Sequence, residues 1–469
     1  MNRFLKKITV TTGIALICGV VISSCSDVSR EGMVVVTTVN DKELVREYQS
    51  DDYRGFLTGG KLLALFPLKP DTSPIDLTND YFSACSPDIS FDAEKMVFAA
   101  QKKQDSNWQI YEMDLSGLNC RQMTNGDSQC TDPLYLPDGS ILFSEITRDS
   151  SDGKEQYLTV LSPEGNKTQR ITFDPGIYVG TNLLHDGRIT GLRKGIHESR
   201  NDRQLIVMRP DGTKETLFYR SPKAEVIQAG EFGARDIYVL EKDNSGYRSL
   251  STFDYNNPGK RKEIIKDSNQ GDIIGMGMGE NGTVLLCYRP EDEHSFQLYR
   301  LDKADDNRLV PLSENKKFDI LEAVAVVQRQ VPKKIPSEVK LTEHTGLLLC
   351  QDINFSGLDG GESGPDKGKA VKIEILGKET SLGIVDAEAD GSVYLRIEAD
   401  TPFRLQTLDR EGEVVAGPSS WLNLRPNERR ACVGCHLGNE IVPENRQPLS
   451  VLKDPIDIPK ASRLIAKTK

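Results

Sequence analysis

The sequence predicts an all-β chain: a six-bladed β-propeller followed by a small β-sandwich. Three observations carry this expectation. A turn-plus-strand signature returns at blade-sized intervals, a second kind of hairpin unit is interleaved with it, and a run of short strands follows a Pro- and Lys-rich break. Two hairpins in every period of about 45 residues make one four-stranded propeller blade. An open β-solenoid is the alternative, and the need for two distinct hairpins per period disfavours it.

Taken in order, residues Pro87 to Phe98 (PDISFDAEKMVF) recur as Pro133 to Phe143 (PLYLPDGSILF), and Cys85 and Cys130 fall 45 residues apart. The signature returns at Asp186-Gly187, at Asn281-Gly282 and, degraded, over Arg235 to Leu240. Asp-Gly and Asn-Gly accept the positive φ that tight hairpins require, so each marks a turn between strands. The second unit, clearest as WQIYEMDLSGLNCRQMT over 108–124, also occurs near 61–78, 156–172, 203–219, 248–265 and 296–312. Six units imply six blades, expected over residues 25–330. The ring should close with a strand from Met33–Val39 or from Asp319–Val327.

Gln328–Pro336 (QRQVPKKIP) reads as a linker between domains. Strand-like segments then fall at 345–354, 369–376, 381–387, 392–398 and 403–409, with a hairpin turn at Glu388-Ala389-Asp390-Gly391-Ser392. The Gly-rich stretch Gly357–Lys369 is a loop and lacks the spacing of a phosphate cradle. The second domain is taken as 338–469, with a β-sandwich over 338–425 whose last strand, 419–424, delivers the chain to the motif described next.

That motif is Cys432-Val433-Gly434-Cys435-His436. C-x-x-C-H is the attachment sequence of c-type haem: two thiols add across the vinyl groups and the imidazole is placed to ligate iron. The spacing is expected to set both thiols on one face of a helical turn. Half a zinc knuckle and a redox dithiol are the competing readings. The first lacks further ligand pairs, and the second lacks a thioredoxin-like context. Haem c, one per chain, is therefore the expected cofactor, with His436 as its metal ligand. No Met or His follows His436, so a sixth ligand would have to come from upstream: His344 first, then His185, His197, His294, Met276 or Met278. Arg429 and Arg430, with Arg425, are candidate partners for haem propionates, because guanidinium matches carboxylate in a bidentate way. Pro443 and Pro448 suggest an extended tail wrapped around the haem edge.

The N-terminus reads as an export signal. Arg3, Lys6 and Lys7 precede an apolar run from Ile8 to Ile22, too short to span a bilayer. The run ends in Ile22-Ser23-Ser24-Cys25, which resembles a bacterial lipobox; 1–24 is expected to be removed and Cys25 to carry lipid. An uncleaved anchor is the alternative. Ser26 after the lipidated Cys favours the outer membrane. Haem c is attached outside the cytoplasm, so the two signals support each other. Cys85, Cys120, Cys130, Cys287 and Cys350 remain, an odd number in an oxidising compartment. Disulfides from Cys130 to Cys85 or to Cys120 are the simplest pairings, and buried free thiols are the alternative. A net charge of −11 and a pI near 5.2 argue against nucleic acid as a partner.

The repeat resembles that of TolB-like six-bladed propellers, P-x-x-S-P-D-G-x-x-I-x-F followed by I-Y-x-x-D-x-x-G. The run from Ala389 to His436, including ADGSVYLRIEADTP and LNLRPNERRACVGCH, resembles the haem-binding middle domain of the hydrazine synthase alpha subunit family. The resemblance implies a propeller ahead of that domain, haem c on Cys432 and Cys435, and zinc as a possible companion held by the motif His. Two departures argue against hydrazine synthesis itself. The family enzyme ligates this haem through a Tyr four residues after the motif His, where this chain has Glu440, and it continues into a second haem domain, whereas this sequence ends 33 residues after His436. Three functions stay open: an electron-transfer or ligand-binding cytochrome whose propeller docks a redox partner, a binding lipoprotein with structural haem, and a related haem enzyme. No nucleophile–base motif accompanies them.

Overall fold

In the propeller strands, alternate residues serve two different cores. In Lys95–Gln101 (KMVFAAQ), Val97 and Ala99 pack with Cys85, Trp108, Ile110, Cys130 and Phe143. Met96, Phe98 and Ala100 point the other way and pack with Met33, Leu62, Ala84 and Tyr111. A strand sandwiched between neighbouring blades buries both faces, so it reads as a continuous apolar run rather than a polar–apolar alternation. Each fully buried aromatic such as Phe98 contributes about 2–3 kcal/mol of burial.

The computed structural model describes residues 30–43, 45, 56–69, 71–146, 155–196, 203–221, 223–233, 235–265, 271–313, 317–355, 369–434 and 446–459. The signal segment 1–24, the lipidation residue Cys25, His197, Cys435 and His436 lie outside them. The described chain forms eight four-stranded sheets, six of them propeller blades. Blades two to six are simple antiparallel meanders that start at Ser83, Gln129, Gly176, Glu225 and Asp272. The first blade draws on both closure candidates at once: Val34–Val39 pairs antiparallel with Lys61–Leu65 on one side and with Asp319–Ala325 on the other. The last propeller strand is thus the innermost strand of the first blade.

Every innermost strand carries a register shift, for example between Cys85 and Asp88, between Thr131 and Leu134, and between Val179 and Asn182. At these bulges Ser86 and Asp132 adopt positive φ. The freed groups bond from blade to blade around the channel. Glu322 accepts from the Ser86 amide at 2.8 Å, Ser86 Oγ donates to Asp132 at 3.0 Å, and Asp132 accepts from the Gly180 amide at 3.2 Å. Farther round, the Gln228 side chain both donates to Met276 O and accepts from Met276 N, each at 2.8 Å. The bulge is therefore what locks adjacent blades.

The segment expected to be a separating linker is bound along its length. Arg329 donates its amide to Phe91 O at 2.8 Å and pairs with Asp88 at 3.1 Å. Farther on, Glu338 pairs with Arg209 at 2.8 Å and donates its amide to Asp211 at 2.8 Å. Lys333 crosses so close over Gly187 that a Cβ there would lie 1.9 Å from the Lys333 carbonyl oxygen.

The sandwich is two sheets of four strands. One is ordered Arg429–Cys432, Thr345–Cys350, Val393–Glu398, Ile456–Ile458, and the other Ser381–Asp386, Lys372–Leu376, Arg404–Leu408, Val414–Ala416. Leu348, Ile373, Ile375, Leu395, Phe403 and Leu424 fill the space between them. Two expectations are corrected here. The strand leading to the motif is Arg429–Cys432, not 419–424, where only an isolated Phe403–Leu422 bridge forms. The described tail is not an extended wrap: it makes a 3₁₀ turn at Leu449–Leu452 and returns as a strand parallel to Val393–Glu398.

Sandwich meets propeller through Arg425, which is 1% exposed. Its Nη1 donates to the carbonyl oxygens of Arg170 and Asp211 in the propeller, both at 3.1 Å. Its Nε lies 2.8 Å from Asp400, and its guanidinium carbon sits 5.0 Å from the Phe173 ring centroid. Arg425→Ala should cost about 2–3 kcal/mol, because it leaves two propeller carbonyls without their donor and part-exposed Asp400 without its counter-charge. Urea unfolding followed by tryptophan fluorescence checks this, and the loss should separate the sandwich transition from that of the propeller.

Candidate haem-attachment site

The approach to the motif is built from Arg425-Pro426-Asn427-Glu428. Asn427 takes a positive φ of 69° and turns the chain, while its side chain donates to Glu338 O at 3.0 Å. Glu428 is 0% exposed. Its carboxylate accepts from the amides of Arg425 and Lys214, both at 2.8 Å, and from Arg430 Nε at 3.0 Å. A buried carboxylate with three donors is well satisfied, and it ties the motif strand to the propeller.

Arg429–Cys432 then runs parallel to Thr345–Cys350, with Cys432 opposite Cys350. Strand alternation sends Arg430 and Cys432 inward and leaves Arg429 and Ala431 exposed. Cys432 therefore sits on a strand end and not on the helical turn expected from its spacing. It borders a cavity of about 200 Å³ whose wall includes Leu348, Cys350, Ile373, Leu405, Leu422 and Gly434. Burial pushes the Cys432 thiol above its ordinary value; nearby Arg430 opposes the shift and Glu428 adds to it. Gly434 passes over Phe355, where a Cβ would lie 2.0 Å from the carbonyl oxygen. On the far side of 435–445, Arg446 donates to Gln351 O at 3.0 Å and pairs with Asp390 at 2.6 Å. Both described ends of the motif segment are thus pinned to one corner of the sandwich. An inward-facing thiol on an apolar cavity suits one edge of a large apolar macrocycle, so the described residues fit a thioether-linked haem. Among them, no group of His, Cys, Asp and Glu is arranged to hold a metal ion such as zinc.

The other expected site residues do not gather here. His344 is exposed and precedes Thr345, at the opposite end of the strand from Cys350, about 20 Å away at ~3.3 Å per residue. It does not lie beside Cys432. His185 is paired with Glu231 at 2.6 Å in the propeller, and Met276 and Met278 line the central channel. The described cavity lining contains neither His nor Met. Arg430 is committed to Glu428 instead of being free for a propionate, while Arg429 stays exposed. Cys130 and Cys120 carry free thiols, so neither expected disulfide forms; their strands lie in different blades. Glu428, Cys350 and Phe355 escaped sequence reasoning. The available signals were an acidic residue inside an otherwise basic RPNERR run and, for Cys350, its place among the five leftover cysteines.

A charged cluster lies in the fourth blade near Arg430. Tyr178 Oη stands within hydrogen-bonding distance of both Asp174 and Glu215, and Arg193 Nε donates to Asp174 at 2.7 Å. Burial, and then the Asp174 charge, push Glu215 up to about 7, against the opposing effect of Arg193 and Arg430.

Six blades and a docked sandwich, whose edge strand ends at the first cysteine of the C-x-x-C-H sequence, define a two-domain β-propeller protein. The family model described as "Hydrazine synthase alpha subunit middle domain" matches residues 314–437. The chain is 31% identical to hydrazine synthase subunit alpha of Kuenenia stuttgartiensis, over 88% of this chain and 67% of that one. The chain belongs to the hydrazine synthase alpha subunit family. The solved Kuenenia stuttgartiensis hydrazine synthase superposes with a TM-score of 0.77 at 17% identity, over 90% of this chain and 71% of that one, and so shares the fold. TolB from Acinetobacter baumannii superposes with a TM-score of 0.45 at 15% identity, over 65% of this chain and 67% of that one.

Gly434→Ala should destabilise the sandwich by about 1–3 kcal/mol through overpacking against Phe355. Gly191→Ala, whose new Cβ would meet nothing nearer than 3.5 Å, is the control for urea titration. Glu215 gives a pH prediction. Its folded pKa is raised above the ordinary 4.5, so the native state holds the extra proton. Its contribution is complete below about 4.5 and is lost as pH rises through about 7. Glu215→Gln should remove a decline on the order of 2 kcal/mol across that window, read as the difference between the two pH–stability curves.

Proposed function

We propose that this member of the hydrazine synthase alpha family is an exported, lipid-anchored mono-haem c protein that works in electron transfer or haem-based ligand binding. The carrying observation is Cys432: it sits at the end of a strand rigidly tied to both domains, its side chain on an apolar cavity. Bound haem would supply a one-electron centre or an open iron position. Cys432 and Cys435 would hold it covalently, with His436 as the iron ligand. The chain's described part in this is positional. Glu428 fixes the strand, Gly434 lets the chain turn over Phe355, and the leucines around the cavity exclude water. The propeller offers a rigid face for a protein partner, and lipid on Cys25 would keep the assembly at the outer membrane.

The relationship to hydrazine synthase subunit alpha, spread over 88% of the chain, favours a second reading: a haem enzyme of related architecture. Four residues after His436, where the family resemblance implies a Tyr ligand, this sequence carries Glu440.

Purified envelope-expressed protein should show the pyridine haemochrome spectrum of c-type haem at one per chain. Cys432→Ala combined with Cys435→Ala should abolish the haem-stained band on a denaturing gel; a retained covalent band would sink the proposal. Carbon monoxide should shift the Soret band of the reduced protein within mixing time, and His344→Ala should leave that shift unchanged. A wild type that resists carbon monoxide has a strong sixth ligand and is a plain electron carrier. Cys25→Ser should release the chain from membranes or leave its signal uncleaved.

A further inference from the structure

Cys350 and Cys432 are direct partners in a parallel ladder, and both line one cavity. Neighbouring strands stand about 4.8 Å apart, within the ~4.4–6.8 Å Cα separation that a disulfide spans. Their side chains lie on the same face, since Leu348 and Cys350 alternate inward along one strand as Arg430 and Cys432 do along the other. Cys350 is 5% exposed, whereas Cys432 is half-buried, so an approaching reagent meets Cys432 first. None of the propeller cysteines is a strand partner of another cysteine in the described ladders.

We infer that Cys350 is the resolving thiol of Cys432, and that the two close a cross-strand disulfide in the haem-free chain. The chemistry is thiol–disulfide exchange with an envelope disulfide oxidant, either a small disulfide or an oxidised dithiol protein. The Cys432 thiolate attacks one sulfur of the oxidant, forming a mixed disulfide and expelling one thiol. Cys350 then attacks the Cys432 sulfur and expels the second. Two protons and two electrons leave the protein, and the oxidant departs as two thiols. A dithiol reductant reverses both steps. The raised pKa of Cys432 keeps its thiolate fraction low, so uncatalysed exchange is slow in either direction. The link would mask one of the two sulfurs that haem attachment needs. Its role as a gate therefore rests on the haem reading above, although its formation does not.

The test uses the full chain expressed without haem attachment, oxidised with glutathione disulfide, alkylated and digested with trypsin without reduction. Peptides 341–367 and 431–446 should be joined in more than half of the material. Because 431–446 also contains Cys435, the link should persist in Cys435→Ser and vanish in Cys432→Ser. Full alkylation of both peptides in the wild type overturns the inference, as does a link that survives Cys432→Ser. Exposed Cys120 reports that alkylation was complete. The gate has its own readout: without added reductant, Cys350→Ser and Cys350→Ala should load haem several-fold more than wild type, and with dithiothreitol all three should load equally. Equal loading without reductant removes the gate. If none of the three takes up haem even with reductant while the joined peptides are present, the haem reading fails and the disulfide stands.

Discussion

The buried Arg425–Glu428 pair of anchors sets where the site lies. Arg425 reaches into the propeller and bonds to two backbone carbonyls, while Glu428 receives an amide from Lys214 on the same blade as Asp211. Between them the chain turns once, at Asn427, and then enters the sheet. Neither charge is exposed, so loss of the partners of either one strands that charge in a medium that solvates it poorly. Cys432 follows Glu428 by four residues on an extended strand, and its position is inherited from that anchor. Moving the sandwich relative to the propeller would have to break both.

The propeller supplies the rigid half of this arrangement. Its blades are held by apolar cores between sheets and by hydrogen bonds between the bulged inner strands. Closure by Asp319–Ala325 beside Val34–Val39 joins the two ends of the ring through an antiparallel ladder. That closure also decides where the chain leaves the propeller, since Arg329 is captured by Asp88 immediately afterwards. The strap that follows crosses the fourth blade at Gly187 and Arg209 before the sandwich begins.

The sandwich closes on itself through its tail. The hairpin turn at Asp390 accepts Arg446 and the Leu449 amide, and Ser392 accepts the Ser450 amide at 3.0 Å. The segment 435–445 leaves from one fixed point at Gly434 and returns to another at Arg446.

What the sequence determined by itself is what local chemistry encodes. The 45-residue spacing and the Asp-Gly and Asn-Gly turns ahead of short strands specify blades, because turn conformation is decided within a few residues. The C-x-x-C-H motif is local in the same way. Tertiary structure alone decided the partners: Cys350 beside Cys432, Glu428 under Lys214, Arg425 against Arg170, and the tail returning as a strand. Lys214 and Glu428 are 214 residues apart, and Arg170 and Arg425 are 255 apart. Such pairings leave no periodic trace, so arginines that looked available for a ligand were already committed to the protein, and a leftover cysteine stood next to the motif.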